Sequence, residues 1–192
     1  MENAVTAIHV VEILKSRGFT VTQDSIVRGF ASVRWPARLE VLSHTDNTVV
    51  VDGAHNPYSM KRLVQAIRDY FRFQQVILIF GTLGGHSANG MIAELANLSP
   101  LVCAVRSRHP KSASSKTISQ VASEAGLPVI FQSDNVGEAT RNALRTAGKD
   151  DLVLGTGSLT VAAEVIEEIK GIEPELYPYI NSSWDCWNDK GG

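Results

Sequence analysis

A regular alternation of short apolar strands with amphipathic helices, between residues 39 and 170, most constrains the fold of this chain. Six strands are predicted, at residues 39–44, 48–51, 76–80, 101–105, 129–131 and 152–154. Helices are predicted between them and after the last strand, at residues 57–73, 88–98, 115–125, 135–146 and 158–169. Alternating strands and helices imply right-handed crossovers and helices on both faces of a sheet. We therefore predict an α/β fold with a Rossmann-like, doubly wound, mostly parallel six-stranded sheet.

The first two strands differ from the others in how they are connected. Only the polar turn Thr45-Asp46-Asn47 separates them. A connection this short joins strands that run antiparallel. One strand is therefore expected to run against the rest of the sheet.

The segments on either side of this alternation have a different character. Apolar residues recur at helical spacing over residues 3–17, and Thr22 is a plausible N-cap for a second helix that ends before Trp35-Pro36. Two helices without a sheet partner indicate the end of another domain, so we predict a boundary after residue 36 and an α/β domain over residues 37–170. Residues 171–192 are polar and contain Pro and Gly, which predicts a flexible tail.

Length and charge exclude several classes of function. The 192 residues carry a formal net charge of −2, and the 18 basic residues form no block, so neither a nucleic-acid nor a membrane surface is indicated. No apolar run is long enough to span a bilayer, and the amino terminus does not resemble a secretory signal. A cytoplasmic protein is expected. Cys103 and Cys186 lie in different settings and suggest neither a disulfide nor a metal site.

The chemistry is expected where the buried run Val49–Val51 gives way to Asp52-Gly53-Ala54-His55-Asn56 and then to a helix that begins at Pro57. Ligands of open α/β sheets bind at such strand-to-helix turns, and the N-terminus of the helix attracts anions. A carboxylate can accept hydrogen bonds from ribose hydroxyls, while an imidazole and an amide can face phosphate. The alternative is that Asp52 and Asn56 only cap the helix.

Polar residues also follow other predicted strands. Residues 81–87 fail the Walker pattern and are interpreted as a flexible turn. In residues 106–111, His109 and Lys111 either meet a phosphate or carboxylate or belong to a solvated loop. Ser158, after two glycines, is either an N-cap or a ligand contact.

Three other chemistries do not fit these residues. NAD binding lacks the third glycine and the later acidic residue of the dinucleotide fingerprint. A Ser158–His55–Asp52 hydrolase triad lacks the nucleophile elbow. Asp52 and His55 could hold a metal ion, but no dense cluster of further ligands accompanies them, and we predict no metal ligand in this chain.

Four segments resemble the carboxy-terminal part of folylpolyglutamate synthase/dihydrofolate synthase, a family of the Mur ligase superfamily. They are Arg34-Trp35-Pro36-Ala37-Arg38-Leu39-Glu40, Val51-Asp52-Gly53-Ala54-His55-Asn56-Pro57, His109-Pro110-Lys111 and Gly155-Thr156-Gly157-Ser158-Leu159. The resemblance covers about residues 3–170. It implies an ATP-dependent ligase that joins the amine of L-glutamate to a folate or dihydropteroate carboxylate through an acyl phosphate, with Mg²⁺.

The resemblance also implies roles for individual residues. Asn3 approaches adenine, Arg38 contacts the nucleotide, Asp52 binds ribose, and His55 lies near the phosphates. We add Asn56 as a nucleotide-binding candidate and predict Asp52 and His55 as the catalytic residues. The resemblance implies that Ser158 helps to receive glutamate, and we add His109 and Lys111 as substrate-binding candidates. Residues 1–36 correspond to the trailing helices of a central ATPase domain, and the enzyme is expected to be a monomer.

Three departures from the family pattern limit this interpretation. Gly84-Gly85-His86 stands where the family usually has Asp-Lys-Asp, and Ala37 stands where it has Gly. The Walker loop and the Mg²⁺ ligands of the amino-terminal ATPase domain are not found among these residues, so this chain alone is expected not to catalyse ligation. The alternative reading is a non-catalytic α/β nucleotide-binding module.

Overall fold

The computed structural model describes residues 2–44 and 47–174. The chain divides into two compact units, Met1–Trp35 and Pro36–Gly192. Most of the predicted tail and the centre of the predicted hairpin turn lie outside the described residues. No helix in the described part of the chain is both long and apolar enough to cross a membrane.

The first unit consists of helices α1 (Glu2–Ser16) and α2 (Gln23–Ser32). Thr22 caps α2, because its side chain accepts a hydrogen bond of 3.1 Å from the backbone N–H of Ser25. This bond satisfies one of the N–H groups that have no partner within a helix. The N-cap expected at Thr22 is therefore confirmed.

The second unit is built on one six-stranded sheet with the order β1-β2-β6-β3-β4-β5. The strands are β1 (Glu40–His44), β2 (Asn47–Val51), β3 (Val76–Phe80), β4 (Leu101–Val105), β5 (Val129–Ser133) and β6 (Leu152–Thr156). β1 pairs antiparallel with β2, and every other pair is parallel. The predicted mostly parallel sheet with one antiparallel strand is confirmed.

Helices cover both faces of this sheet, as predicted. They are α3 (Pro57–Tyr70), α4 (Ala88–Leu95), α5 (Ser115–Glu124), α6 (Val136–Thr146) and α7 (Leu159–Lys170). The first three pack in one apolar cluster, with Ile67, Ile92 and Ile118 buried, and the last two pack in another. β3 and β6 lie inside the sheet and are buried along their whole length, which explains the unbroken apolar sequence of β3 and the apolar run Leu152–Leu154 of β6.

Several boundaries differ from the sequence-based expectation. The α-helix of α4 ends at Leu95, and residues 96–98 form one 3-10 turn. β6 extends to Thr156, since Gly155 pairs with Val51 on one side and with Ile79 on the other. Pairing on both sides outweighs the low strand propensity of glycine. Asn47, expected in the turn, belongs to β2 because it pairs with His44 of β1.

Candidate functional site

The strand order places a crevice at the carboxyl end of β6. β6 lies between β2 and β3, whose following helices α3 and α4 pack on one face, whereas α7 packs on the other. Helices that leave neighbouring strands toward opposite faces open a space between them, and ligands of such sheets bind there. Asp52 follows β2 and Ser158 follows β6, so two of the predicted site residues border this crevice.

Asp52 is held in a fixed orientation. One carboxylate oxygen accepts a hydrogen bond from the N–H of Leu39 and the other accepts one from the N–H of Ala54, each at 2.8 Å. Burial raises the pKa of Asp52, although these two bonds and the charges of Arg38 and His55 favour its ionised form. Each oxygen keeps a further lone pair, so the side chain can still accept from a ligand hydroxyl.

His55 and Asn56 lie on the exposed side of the same turn. The Asn56 side chain accepts a hydrogen bond of 2.8 Å from the N–H of Ser59 and forms a capping box that starts α3. The capping alternative therefore holds for Asn56, whereas Asp52 bonds to Leu39 and Ala54. Nδ1 of His55 lies 2.9 Å from the carbonyl oxygen of Gly53. A carbonyl only accepts, so Nδ1 donates and Nε2 is left for a ligand.

Arg38 stands between two residues with left-handed backbone conformations. φ is +56° at Ala37 and +44° at Leu39, and the Arg38 side chain is exposed. The positive charge of Arg38 lowers the pKa of Asp52, so this turn helps to keep the carboxylate ionised. Asn3 is exposed on α1 of the first unit.

Ser158 is the N-cap of α7. Its Oγ accepts a hydrogen bond of 3.1 Å from the N–H of Val161, and the residue is only 2% exposed. Oγ also lies 2.9 Å from Oγ1 of Thr160. The N-cap alternative is thus correct, and any ligand contact of Ser158 would be additional to this bond.

The loop after β4 carries His109 and Lys111. The N–H of Lys111 donates to Nδ1 of His109 at 3.1 Å, and the carbonyl of Lys111 accepts from the N–H of Gly84 at 2.6 Å. Arg108 in the same loop forms ion pairs with Glu164 and Glu167 of α7. Neighbouring segments therefore hold the backbone of this loop on two sides, while Lys111 is exposed. The ligand contacts of His109 and Lys111 stay a prediction.

His86 belongs to the site but was not singled out from the sequence. Its Nδ1 donates to the carbonyl oxygen of His55 at 2.7 Å, and the two imidazole rings are 5.6 Å apart in an edge-to-face arrangement. The sequence marked this residue only as a histidine in a loop after an apolar strand and as part of Gly84-Gly85-His86, which departs from the family pattern. The side chain therefore occupies the edge of the crevice within the segment that departs from the family pattern.

Hydrogen bonds join four loops at this edge into a continuous ring, which we call the collar: residues 52–56, 81–87, 106–112 and 156–160. His86 joins the second loop to the first. The hydroxyl of Thr156 donates to the carbonyl of Asp52 at 2.8 Å and joins the fourth to the first. Leu83 pairs with Ser112, and Oγ of Ser107 lies 2.9 Å from Oγ1 of Thr160. The collar thus fixes the relative positions of the candidate residues within this unit.

No group of three or more His, Cys, Asp or Glu side chains is arranged to hold a metal ion within residues 2–44 and 47–174. Asp52 and His55 share the turn, but no third ligand of these types joins them there. Stable protein sites for divalent cations need more ligands than these two.

Comparison with known proteins agrees with this architecture. The family model described as "Mur ligase, glutamate ligase domain" matches residues 37–159. A probable bifunctional folylpolyglutamate synthase/dihydropteroate synthase of Halobacterium salinarum is 31% identical over 75% of the chain and 17% of its own length. The dihydrofolate synthase/folylpolyglutamate synthase of Escherichia coli is 28% identical over 87% of the chain and 37% of its own length.

A solved structure shows the same relationship. E. coli FolC in complex with DHPP and ADP superposes with a TM-score of 0.77 at 27% identity, over 88% of this chain and 39% of FolC. The chain thus spans well under half the length of these relatives. The family match, which covers more than half of the chain, confirms the resemblance seen in its motifs, and the chain belongs to the Mur ligase family through its glutamate ligase domain.

Proposed function

We propose that this chain is the carboxy-terminal part of an ATP-dependent folate:L-glutamate ligase of the folylpolyglutamate/dihydrofolate synthase type. The observation that carries the proposal is the collar, which gathers the turn at Asp52, the loop with His109 and Lys111 and the start of α7 at one edge of a Mur-ligase domain. FolC, which is similar over 88% of this chain, was solved with ADP and DHPP. The full enzyme is further proposed to be a cytoplasmic monomer, as the family resemblance implies.

The nucleotide is proposed to lie against the turn at residues 52–56. Asp52 offers one free lone pair on each oxygen for ribose hydroxyls, because its other bonds come from backbone N–H groups. His55 and Asn56 are exposed beside the start of α3, where phosphate is favoured. Arg38 is a further proposed nucleotide contact within this unit. For residues 1–36, the family resemblance is the basis for proposing that they are the trailing helices of the central ATPase domain and that Asn3 approaches adenine.

The amino-acid substrate is proposed to lie on the other side of the collar. Lys111 is exposed and His109 half-buried, and the loop that carries both is joined to the start of α7 by the link from Ser107 to Thr160. A cationic side chain and an imidazole suit the carboxylates of glutamate. Ser158 is proposed to help receive glutamate there, in addition to capping α7.

The chemistry proposed for this domain is alignment. The amine of glutamate must attack an acyl phosphate, and holding the two reactants in line removes much of the entropic barrier. The cationic groups of the collar would offset charge on the departing phosphate. Mg²⁺ supports such phosphoryl chemistry, and we propose that its ligands come from the amino-terminal ATPase domain, because the described residues of this chain do not provide a cluster for it.

The experiment that tests this function joins the chain to the amino-terminal ATPase domain of a folate ligase. ADP release is then measured with Mg²⁺, a reduced folate and glutamate, with each component omitted in turn. Release that requires all three, and both halves of the protein, is the expected result. A folded but inactive fusion would instead support a non-catalytic nucleotide-binding module.

A further inference from the structure

A chain of four side-chain hydroxyls runs beneath the proposed amino-acid side of the collar. Ser112, Ser107, Thr160 and Ser158 follow one another at 2.8, 2.9 and 2.9 Å between successive oxygens. Ser107 and Ser158 are each only 2% exposed. Buried hydroxyl groups that are fully bonded in this way hold backbone segments in one arrangement.

The first two hydroxyls close the stem of a loop. Oγ of Ser112 also accepts from the N–H of Ser107 at 3.2 Å, and the N–H of Ser112 donates to the carbonyl of His109 at 2.8 Å. Ser107 and Ser112 therefore bracket residues 108–111, the segment that carries His109 and Lys111. The position of that stem decides where the two side chains lie.

The third hydroxyl, that of Thr160, fastens this stem to α7. Its Oγ1 bonds to Ser107 on one side and to the N-cap Ser158 on the other, so it makes two of the three links. The four hydroxyls carry four hydrogens for three links, so every link can have a donor and one hydrogen remains. Removing the Thr160 hydroxyl would break the link between Ser107 and the start of α7 without leaving a bulky gap.

A second contact on the same face of α7 supports the fastening. Glu164, one helical turn after Thr160, accepts a hydrogen bond of 2.8 Å from the N–H of Arg108. Adjacent loop residues, Ser107 and Arg108, are thus held by side chains at i and i+4 of one helix. This repeated spacing indicates that α7 serves as the support for the loop.

We propose that Thr160 is a positioning residue for the amino-acid substrate. It sets the loop at residues 106–112 so that His109 and Lys111 face the carboxylates of the incoming amino acid. This inference rests on the proposed function, since it assumes that an amino acid binds on this side of the collar. The nucleotide side is held by different bonds, those of Thr156 and His86, and is expected to be unaffected.

The first test uses this chain alone and does not depend on ligase activity. Amide hydrogen exchange is compared among wild type, Thr160→Val, which keeps the shape and removes the hydroxyl, and Thr160→Ser, which keeps the hydroxyl. Of these three proteins, only Thr160→Val should show amide exchange in residues 106–112 that is at least about fivefold faster, because the free energy of local opening of the loop is lower. Thr117→Val is the matched control, since Oγ1 of Thr117 lies 2.8 Å from the N-cap Ser114 of α5, outside this chain of hydroxyls. Should Thr160→Val fail to fold, Ser107→Ala removes the same link from the other side.

The second test uses the fusion with an ATPase domain. Thr160→Val should raise KM for glutamate about tenfold, leave KM for ATP within about twofold, and be rescued by Thr160→Ser. Unchanged exchange, or faster exchange with an unchanged KM for glutamate, overturns the positioning role. An inactive wild-type fusion would overturn the proposed function and the substrate role together, whereas the exchange result would still establish whether Thr160 holds the loop.

Discussion

Backbone strain at single residues supports the turn before β1. Ala37 is buried with φ of +56°, and its carbonyl accepts from the N–H of Gly53 at 2.8 Å. Its own N–H donates to Glu40 at 3.0 Å, and Leu39, also left-handed, donates to Asp52. These bonds keep two non-glycine residues in a conformation that costs about 1–2 kcal/mol each. The strain is therefore coupled to the orientation of the Asp52 carboxylate.

Substitution at Ala37 should reveal this strain. Ala37→Val is expected to lower the free energy of unfolding by about 3 kcal/mol, since a β-branched side chain resists this φ and overfills a buried position. Ala37→Gly is the control: it relieves strain of about 1 kcal/mol but removes a buried methyl worth about 0.8 kcal/mol, so its net effect should be small. Urea unfolding measures both, and similar losses for the two variants would contradict this account.

A second residue-scale prediction concerns the buried carboxylate of Glu164. Burial raises the pKa of Glu164 above its ordinary value of 4.5, although the N–H and the guanidinium of Arg108 favour the ionised form. The folded protein therefore binds this proton more tightly than the unfolded chain does. The resulting stabilisation is complete below the ordinary pKa and is lost as the pH rises through the raised one.

Glu164→Gln isolates this titration, because glutamine can still accept from the N–H of Arg108 but does not ionise. The free energy of unfolding of wild type, relative to that of Glu164→Gln, should fall as the pH rises from the ordinary pKa of 4.5 through the raised pKa of the folded protein. Urea unfolding at several pH values measures the difference. A difference that grows with pH would show instead that the ion pair with Arg108 dominates.

At the scale of elements, β6 meets the loop after β3 without room for a side chain. Gly157, with φ of +103°, would place a Cβ 2.5 Å from the carbonyl oxygen of Gly81 and 2.6 Å from the Phe80 ring. A Cβ at Gly81 would in turn lie 2.5 Å from the carbonyl oxygen of Val105. The glycines therefore allow three strand ends to approach one another, which gives the crevice its floor.

Gly157→Ala should destabilise the protein by at least about 3 kcal/mol, the sum of backbone strain and steric overlap. Gly85→Ala is the matched control, because Gly85 also has a positive φ of +86° but no atom within 4 Å of its added Cβ. It should cost only about 1 kcal/mol. Thermal unfolding of both variants separates the contribution of backbone strain from that of steric overlap. Equal losses of stability in the two variants would mean that close packing at Gly157 contributes nothing.

The elements themselves were largely predictable, whereas several contacts between them were not. Apolar runs and N-caps such as Thr22 are local signals. They correctly predicted all six strands and the order in which strands and helices follow one another along the chain. The strand order, which inserts β6 between β2 and β3, depends on pairing between distant residues. Contacts of His86 and Thr160 lie across loops far apart in sequence, and no periodicity marks them. The roles of the site residues stay predictions.

At the scale of the whole molecule, the collar separates two proposed binding sides. The turn at residues 52–56 is joined to β6 through Thr156, and the loop at residues 106–112 is joined to α7 through Thr160. The two links are distinct, so a change on one side need not disturb the other. Distinct links of this kind suit an enzyme that aligns two reactants, because each reactant can then be held by its own side chains.

In the fusion with an ATPase domain, substitutions on the two sides of the collar should change different kinetic constants. His55→Ala and Asp52→Ala are each expected to lower the rate of ADP release at least about tenfold. This factor corresponds to a loss of about 1.4 kcal/mol of transition-state stabilisation. Lys111→Ala should chiefly raise KM for glutamate, whereas Lys116→Ala, an exposed lysine on α5, is its control and should change neither constant. Steady-state assays in which ATP and glutamate are varied in turn measure the turnover and the KM for each substrate. Near-wild-type turnover of His55→Ala would refute the nucleotide assignment. Independently supported groups should alter the KM only of the substrate that they contact. An equal effect of Lys111→Ala on the KM values of ATP and glutamate would therefore refute the separation of the two sides.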